Sequence, residues 1–483
     1  MKKTGILLPI FSLPSEYGIG TFGKSAYEFV DFLSATHQSY WQILPLNPTG
    51  FGDSPYQSPS AFAGNPYFID LSFLVSDGYL CETELHNLTK TGEKIDYGNI
   101  YNERFAILRQ AFARFSESVP DDFFEFFERE SYWLRNYALF MALKRANGEK
   151  ELQSWSCEEK HKNNYEALLE KHSDEMEFHY FLQYVFDKQW KSLKSYANSR
   201  GVKIIGDIPI YVSLDSADVF GAPENFLLDK DLRPTLVAGV PPDDFAKEGQ
   251  LWGNPLYDWD KMRENGYSWW CSRIKRASEL YDKIRIDHFV GFSNYFAIPQ
   301  NAKSALEGEI KKGVGYSLFI RIREEVPAAS IIAEDLGMLQ DGVPELLSAT
   351  GFPGMKVMQF SLGGKDNPHA PENHTKNSVV YTGPHDHPTS LGFYRSLSDR
   401  EKRKLRLRLP KTSRNTLSRF IDYALSTPAE TVIIPIQDYL GLGNEARINT
   451  PSTSEGNWCW ILPRSYNSPK TIAKIISHTK DFN

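Results

Sequence analysis

Cysteine is scarce: the 483 residues hold four, Cys81, Cys157, Cys271 and Cys459, far apart and without C-x-x-C spacing. This excludes a disulfide framework or a structural zinc site, and predicts buried free thiols in a reducing compartment. Basic charge is also short. The 54 Lys and Arg against 61 Asp and Glu leave a net charge of −7, the wrong sign for a nucleic-acid partner. No run approaches the roughly 20 apolar residues of a membrane span. The N-terminal GILLPI segment is short and broken by Pro9 and Pro14, and no small-residue cleavage site follows it. A cytoplasmic protein with no membrane partner is expected. No G-x-S-x-G elbow is present, which removes a Ser-His-Asp hydrolase.

Aromatic surface, by contrast, is abundant: 10 Trp, 25 Tyr and 31 Phe make up 14% of the chain. Such rings mostly fill cores, but some stack on apolar faces of ligands such as sugars. Eight short β-branched runs read as strands, at 5–10, 40–46, 202–212, 283–289, 330–335, 355–360, 378–383 and 431–438. They are near-continuously apolar, as parallel strands covered on both faces are. Most are followed by a helical stretch, the first with Phe22, Ala26, Phe29, Val30 and Leu33 at the 3.6 period. The pattern predicts an α/β fold, a single (β/α)8 barrel over 1–483 with large, mostly helical insertions. A doubly wound sheet is set aside on the expectation that no Gly-rich phosphate turn is present. About 150 residues separate the second and third runs, too many for one crossover. Residues 74–195 are therefore read as a mostly helical insertion between those strands, and 213–259 as an active-site loop. The basic run 400–408 reads as a solvated helix face.

In such a barrel the active site lies at the carboxyl ends of the strands, and acids cluster there: Asp207, Asp287, Glu334, Asp386 and Asp438. The period of two places Arg285 and Asp287 on one face of their strand. An Arg beside a carboxylate favours the ionised form, which suits a nucleophile; a structural ion pair would look the same. Glu334 ends an apolar run, where desolvation raises a carboxyl pKa and favours an acid. Two such acids with opposite tuning match a retaining glycosidase mechanism. His288, His385, Asp386 and His387 offer metal ligands, but the first strand supplies none, so neither a metal nor another cofactor is expected.

These segments together resemble the amylomaltase, or 4-α-glucanotransferase, family of the α-amylase clan. The resemblance is carried from end to end by GILLPIFSLPS (5–15), GDSPYQSPSAFAGNPYFIDL (52–71), GDIPIYV (206–212), GQLWGNPLYDW (249–259), RIDHFVGF (285–292), IIAEDLG (331–337) and QDYLGLGNEARINTPSTSEGNW (437–458). It implies transfer of α-1,4-glucan segments from a maltooligosaccharide donor to glucose or a second maltooligosaccharide. A hydrolase of the same clan is the alternative. It further implies Asp287 as nucleophile, Glu334 as acid/base and Asp386 as the residue that distorts the sugar ring. Arg285 would orient Asp287, while His288 and His385 would bond the sugar at the cleavage point. Asp207, Tyr56 and Trp252 resemble further subsite residues, and 237–252 resembles a lid that excludes water.

The chain departs from the family pattern at Asp244, where an aromatic is usual, at Val290 in place of Arg, and at Phe51 in place of Tyr. The usual T-H-D-N-D-T reads Pro384-His385-Asp386-His387-Pro388-Thr389. No departure removes a carboxylate; all bear on acceptor choice and on the balance of transfer against hydrolysis.

Overall fold

The apolar runs form a closed parallel barrel of eight strands in this computed structural model, which describes residues 2–242, 247–338, 340–364, 366–453 and 455–480. Twelve strands occur among these residues: β1 (Lys3–Leu7), β2 (Tyr40–Gln42), β3 (Lys203–Pro209), β4 (Leu236–Val240), β5 (Gln250–Pro255), β6 (Lys283–Asp287), β7 (Asn294–Pro299), β8 (Glu309–Lys312), β9 (Ile331–Ala333), β10 (Gly354–Val357), β11 (Ser378–Tyr381) and β12 (Thr431–Pro435). The barrel runs β1-β12-β11-β10-β9-β6-β3-β2. All eight barrel strands fall within or against the expected runs but end earlier, because the chain turns into short helices such as Ile10–Ser12 and Ile436–Leu440.

Alternation divides each strand between two cores. Ile204, Ile284, Ile286, Ile331, Val380, Val432 and Ile434 join the large outer core beneath the helices. Leu7, Tyr40, Ile205, Ile332, Met355, Val379, Tyr381 and Ile433 fill the barrel. Seven strands contribute to that inner cluster; β6 does not, and sends Arg285 inward instead. On the outer face Gly206 lets Tyr281 close over β3, and a Cβ there would overlap the Tyr281 ring. Gly206→Ala is expected to destabilise the fold by ~1–3 kcal/mol through overpacking, read from the midpoint of denaturant unfolding.

Between β2 and β3 run the long helices Tyr97–Phe115, Asp121–Ala146 and Ser173–Ser199. The last passes without a break through the expected boundary at 195. Its Trp190 packs on Phe22 and donates to the carbonyl of Leu280, so its end belongs to the ring around the barrel. The excursion 213–259 contains more than loop. Its β4 and β5 join β7 and β8 in a second, antiparallel sheet of order β5-β4-β7-β8.

Two expectations are corrected. Cys81 and Cys157 are exposed, and of the four free thiols only Cys271 is buried, because the first two sit at the starts of short surface helices. A G-x-G-x-x-G spacing does occur, at Gly18, Gly20 and Gly23. It is not a phosphate turn: Gly20 lies against the carbonyl of Ile10, and Gly23 lies against the carboxylate of Asp70, which would repel an anion. The basic run forms the helix Asp399–Arg408, in which only Leu405 is buried.

Candidate active site

β3 and β6 are in register with Asp207 opposite Arg285 and Pro209 opposite Asp287. Asp207 therefore lies one step deeper in the barrel than Asp287. Arg285 bridges the two levels. Its Nη1 donates to both oxygens of Asp207, at 2.8 and 2.6 Å, and its Nη2 donates to Asp287 Oδ1 at 2.8 Å. The second oxygen of Asp207 also accepts from the Tyr56 hydroxyl at 2.9 Å. Burial pushes the Asp207 carboxyl up, and Arg285 pulls it back. Asp207 has no exposed surface, so the expected subsite residue instead holds Arg285 from below; its carboxylate has no face left for a sugar. Asp287 keeps 29% of its side chain exposed at the cleft.

After Asp287 the backbone of His288 turns left-handed, with φ 54°. That turn aims its N–H at Glu334 Oε2, 2.6 Å away, while Leu336 N–H donates to Glu334 Oε1 at 3.1 Å. Burial, and then the charge of Asp287, push the Glu334 pKa up to about 8 against Arg285 and the His288 N–H. Its place at the end of an apolar strand thus favours the protonated form of Glu334.

Asp386 opposes this pair from the end of β11. Burial raises it, but His385, the Asn449 amide at 2.6 Å and Arg285 together outweigh burial and hold its carboxyl well below the usual range. The partner effect raises His385, whose Nε2 is 3.3 Å from Asp386, although burial works the other way. Tyr56 stacks on His385 at 5.3 Å. Trp252, on β5, meets the His288 ring edge-on at 4.8 Å. Burial holds His288 down at about 4, so its ring is neutral. His288 Nε2 and His385 Nδ1 are buried without a protein partner.

The resulting cleft has a volume of about 460 Å³. Gln250, Trp252, Asp287, His288, Glu334, Met338, Phe360, Asp386 and His387 line it, together with Arg285 at its floor. Of the expected residues the cleft is lined by Arg285, Asp287, His288, Glu334, Asp386 and Trp252, with Asp207, Tyr56 and His385 behind the lining. Asn449 and Arg447, whose guanidinium donates to the Asp386 carbonyl at 2.6 Å, were not foreseen; both lie in the 437–458 motif. Tyr257, in the same 249–259 motif as Trp252, is buried, stacked on Tyr211 and bonded to the Ile210 carbonyl at 2.7 Å. The part of the expected lid at Asp243 and Asp244 lies outside the described residues, and so does the side chain of Phe51. No group of three His, Cys, Asp or Glu side chains among the described residues is arranged to hold a metal ion. Among the described residues no helix is long and apolar enough to cross a membrane.

A family model described as 4-alpha-glucanotransferase matches residues 8–465. A 4-alpha-glucanotransferase of Clostridium butyricum is 47% identical, over 98% of both chains. One of Streptococcus pneumoniae is 43% identical, over 99% of this chain and 96% of its own. The solved amylomaltase of Streptococcus agalactiae, in complex with acarbose, superposes with a TM-score of 0.96 at 38% identity, covering 100% of this chain and 99% of that one. Barrel, end-to-end match and identity agree with the resemblance read from the motifs, and the chain belongs to the 4-α-glucanotransferase family.

Proposed function

We propose that the site transfers α-1,4-glucan segments between maltooligosaccharides, or to glucose, by double displacement through a covalent glucosyl-enzyme. Asp287 attacks the anomeric carbon. Glu334 first protonates the departing glycosidic oxygen and then removes a proton from the incoming hydroxyl. Asp386, held ionised by His385 and Asn449, binds sugar hydroxyls and favours the flattened ring of the oxocarbenium-like transition state. Arg285 orients Asp287; His288 and Trp252 contact the sugar, with Tyr56 and His385 behind them. The observation that carries this reading is the contrast between the two carboxyls. Glu334 is buried with a pKa near 8, while the more open Asp287 rests on a guanidinium. The exposed free thiols of Cys81 and Cys157 suit the reducing cytoplasm, where soluble maltodextrin is the natural substrate.

Incubation with pure maltotriose tests the reading. A ladder of longer oligosaccharides plus glucose is expected; glucose and maltose alone would mean hydrolysis, and unchanged maltotriose would remove the activity. A pH series tests Glu334. The acid form is lost as pH rises through about 8, so kcat/KM for maltotriose should fall above that value. The raised pKa also means that ionising Glu334 costs the fold. Its stability relative to the Glu334→Gln variant is greatest below the ordinary value of 4.5 and is lost as pH rises through about 8. Parallel stability profiles for the two proteins over that range would contradict the shift.

A further inference from the structure

The side chains at the end of β11 diverge. His385 and Asp386 lean toward Tyr56 and Asn449. His387 leans the other way, and its ring meets Phe360 edge-on at 4.9 Å and 68°. Phe360 ends the short turn after β10, and β10 lies beside β9, the strand that presents Glu334. His387 and Glu334 therefore line one cleft, with Phe360, the ring His387 touches, following the strand next to that of Glu334.

The ring is firmly placed. Pro384 and Pro388 bracket the segment, and the His387 N–H donates to the Pro384 carbonyl at 3.2 Å. Gln359 Nε2 donates to the Pro388 carbonyl at 2.8 Å. Burial pushes the His387 pKa down to about 4 against the pull of Asp386, and His385 and Arg447 add to the fall. The neutral ring offers one donor and one acceptor, yet its Nδ1 is buried with no hydrogen-bond partner. A polar group left so in a cleft wall costs free energy until a ligand completes it.

In a retaining mechanism the acid/base sits beside the departing oxygen, so the flank holding Glu334 receives first the leaving and then the incoming sugar. We propose that His387 hydrogen-bonds a hydroxyl of the glucosyl unit on the acceptor side of the cleavage point, and so selects which sugars are accepted. The inference rests on the acid/base reading of Glu334.

The test separates acceptor use from donor cleavage. α-Maltosyl fluoride carries no sugar on the acceptor side, so its burst of fluoride reports formation of the glycosyl-enzyme without that contact. Among mono-deoxyglucoses that keep the 4-hydroxyl, the one glycosylated, the unaltered enzyme should use one about tenfold less efficiently than glucose as acceptor. In His387→Ala, kcat/KM for glucose should fall to the level of that analogue, while the fluoride burst stays within about twofold. His387→Asn, which keeps a hydrogen-bonding amide, should recover part of the preference. The proposal is overturned if every mono-deoxyglucose that keeps the 4-hydroxyl serves as well as glucose, if His387→Ala keeps the same discrimination, or if burst and glucose use fall together. Failure of the Glu334 reading shows separately, as normal maltotriose turnover in Glu334→Gln.

Discussion

Asp287→Asn is expected to lower maltotriose turnover by ~10⁴-fold or more while maltotriose still binds. The amide has the volume of the carboxylate and can still accept from Arg285 Nη2, but it lacks the charge that attacks the anomeric carbon. Product chromatography gives the rate, and calorimetry with maltotriose gives the binding. Retention of more than about 1% of turnover would remove Asp287 as nucleophile. A linked effect checks the electrostatics. The Asp287 charge is the second cause, after burial, of the raised Glu334 pKa. In Asp287→Asn the Glu334 titration should therefore move below about 8, as read by difference infrared spectroscopy of the carboxyl band.

Arg285→Met is expected to destabilise the fold by ~3–5 kcal/mol, because it leaves the wholly buried Asp207 without its counter-charge. It should also cost activity, since Asp287 loses the donor that orients it. The sign with pH follows from Asp207. Burial already raises this carboxyl, and loss of Arg285 raises it further. Protonation then relieves the buried charge at low pH, so the variant's deficit is smallest in acid and grows as pH rises. Adding Asp207→Asn to Arg285→Met should restore part of the stability, measured by denaturant unfolding at neutral pH. If the double variant is no more stable than the single one, the loss comes from packing rather than from an unpaired charge.

The barrel was legible because strands buried on both faces leave long apolar runs, and Ile284 and Ile286 flanking Arg285 announced which face was which. The second sheet was not. Its β5 is mostly part-exposed, and β8, Glu309-Ile310-Lys311-Lys312, is almost wholly on the surface with too little alternation to register. Asp207 was legible as a strand-end acid, but its depth was not, since depth depends on the register between β3 and β6 rather than on position in one strand. The left-handed turn at His288 had no residue signal, because the bonds that hold it run to Glu334, distant in sequence. Asn449 is a lone amide in a loop; only its contact with Asp386 distinguishes it from its neighbours.

Closure of the barrel also orders events during synthesis. β1 finishes its pairing only with β12, residue by residue from Lys3 opposite Thr431 to Leu7 opposite Pro435. A ribosome must make most of the chain before that seam can form, and Asn449, which bonds Asp386, emerges later still. Until then one edge of β1 is an open template for stray pairing, and contacts of such long sequence separation form slowly. The nascent chain therefore has no working site to protect, and its hazard is aggregation through the open seam rather than premature chemistry.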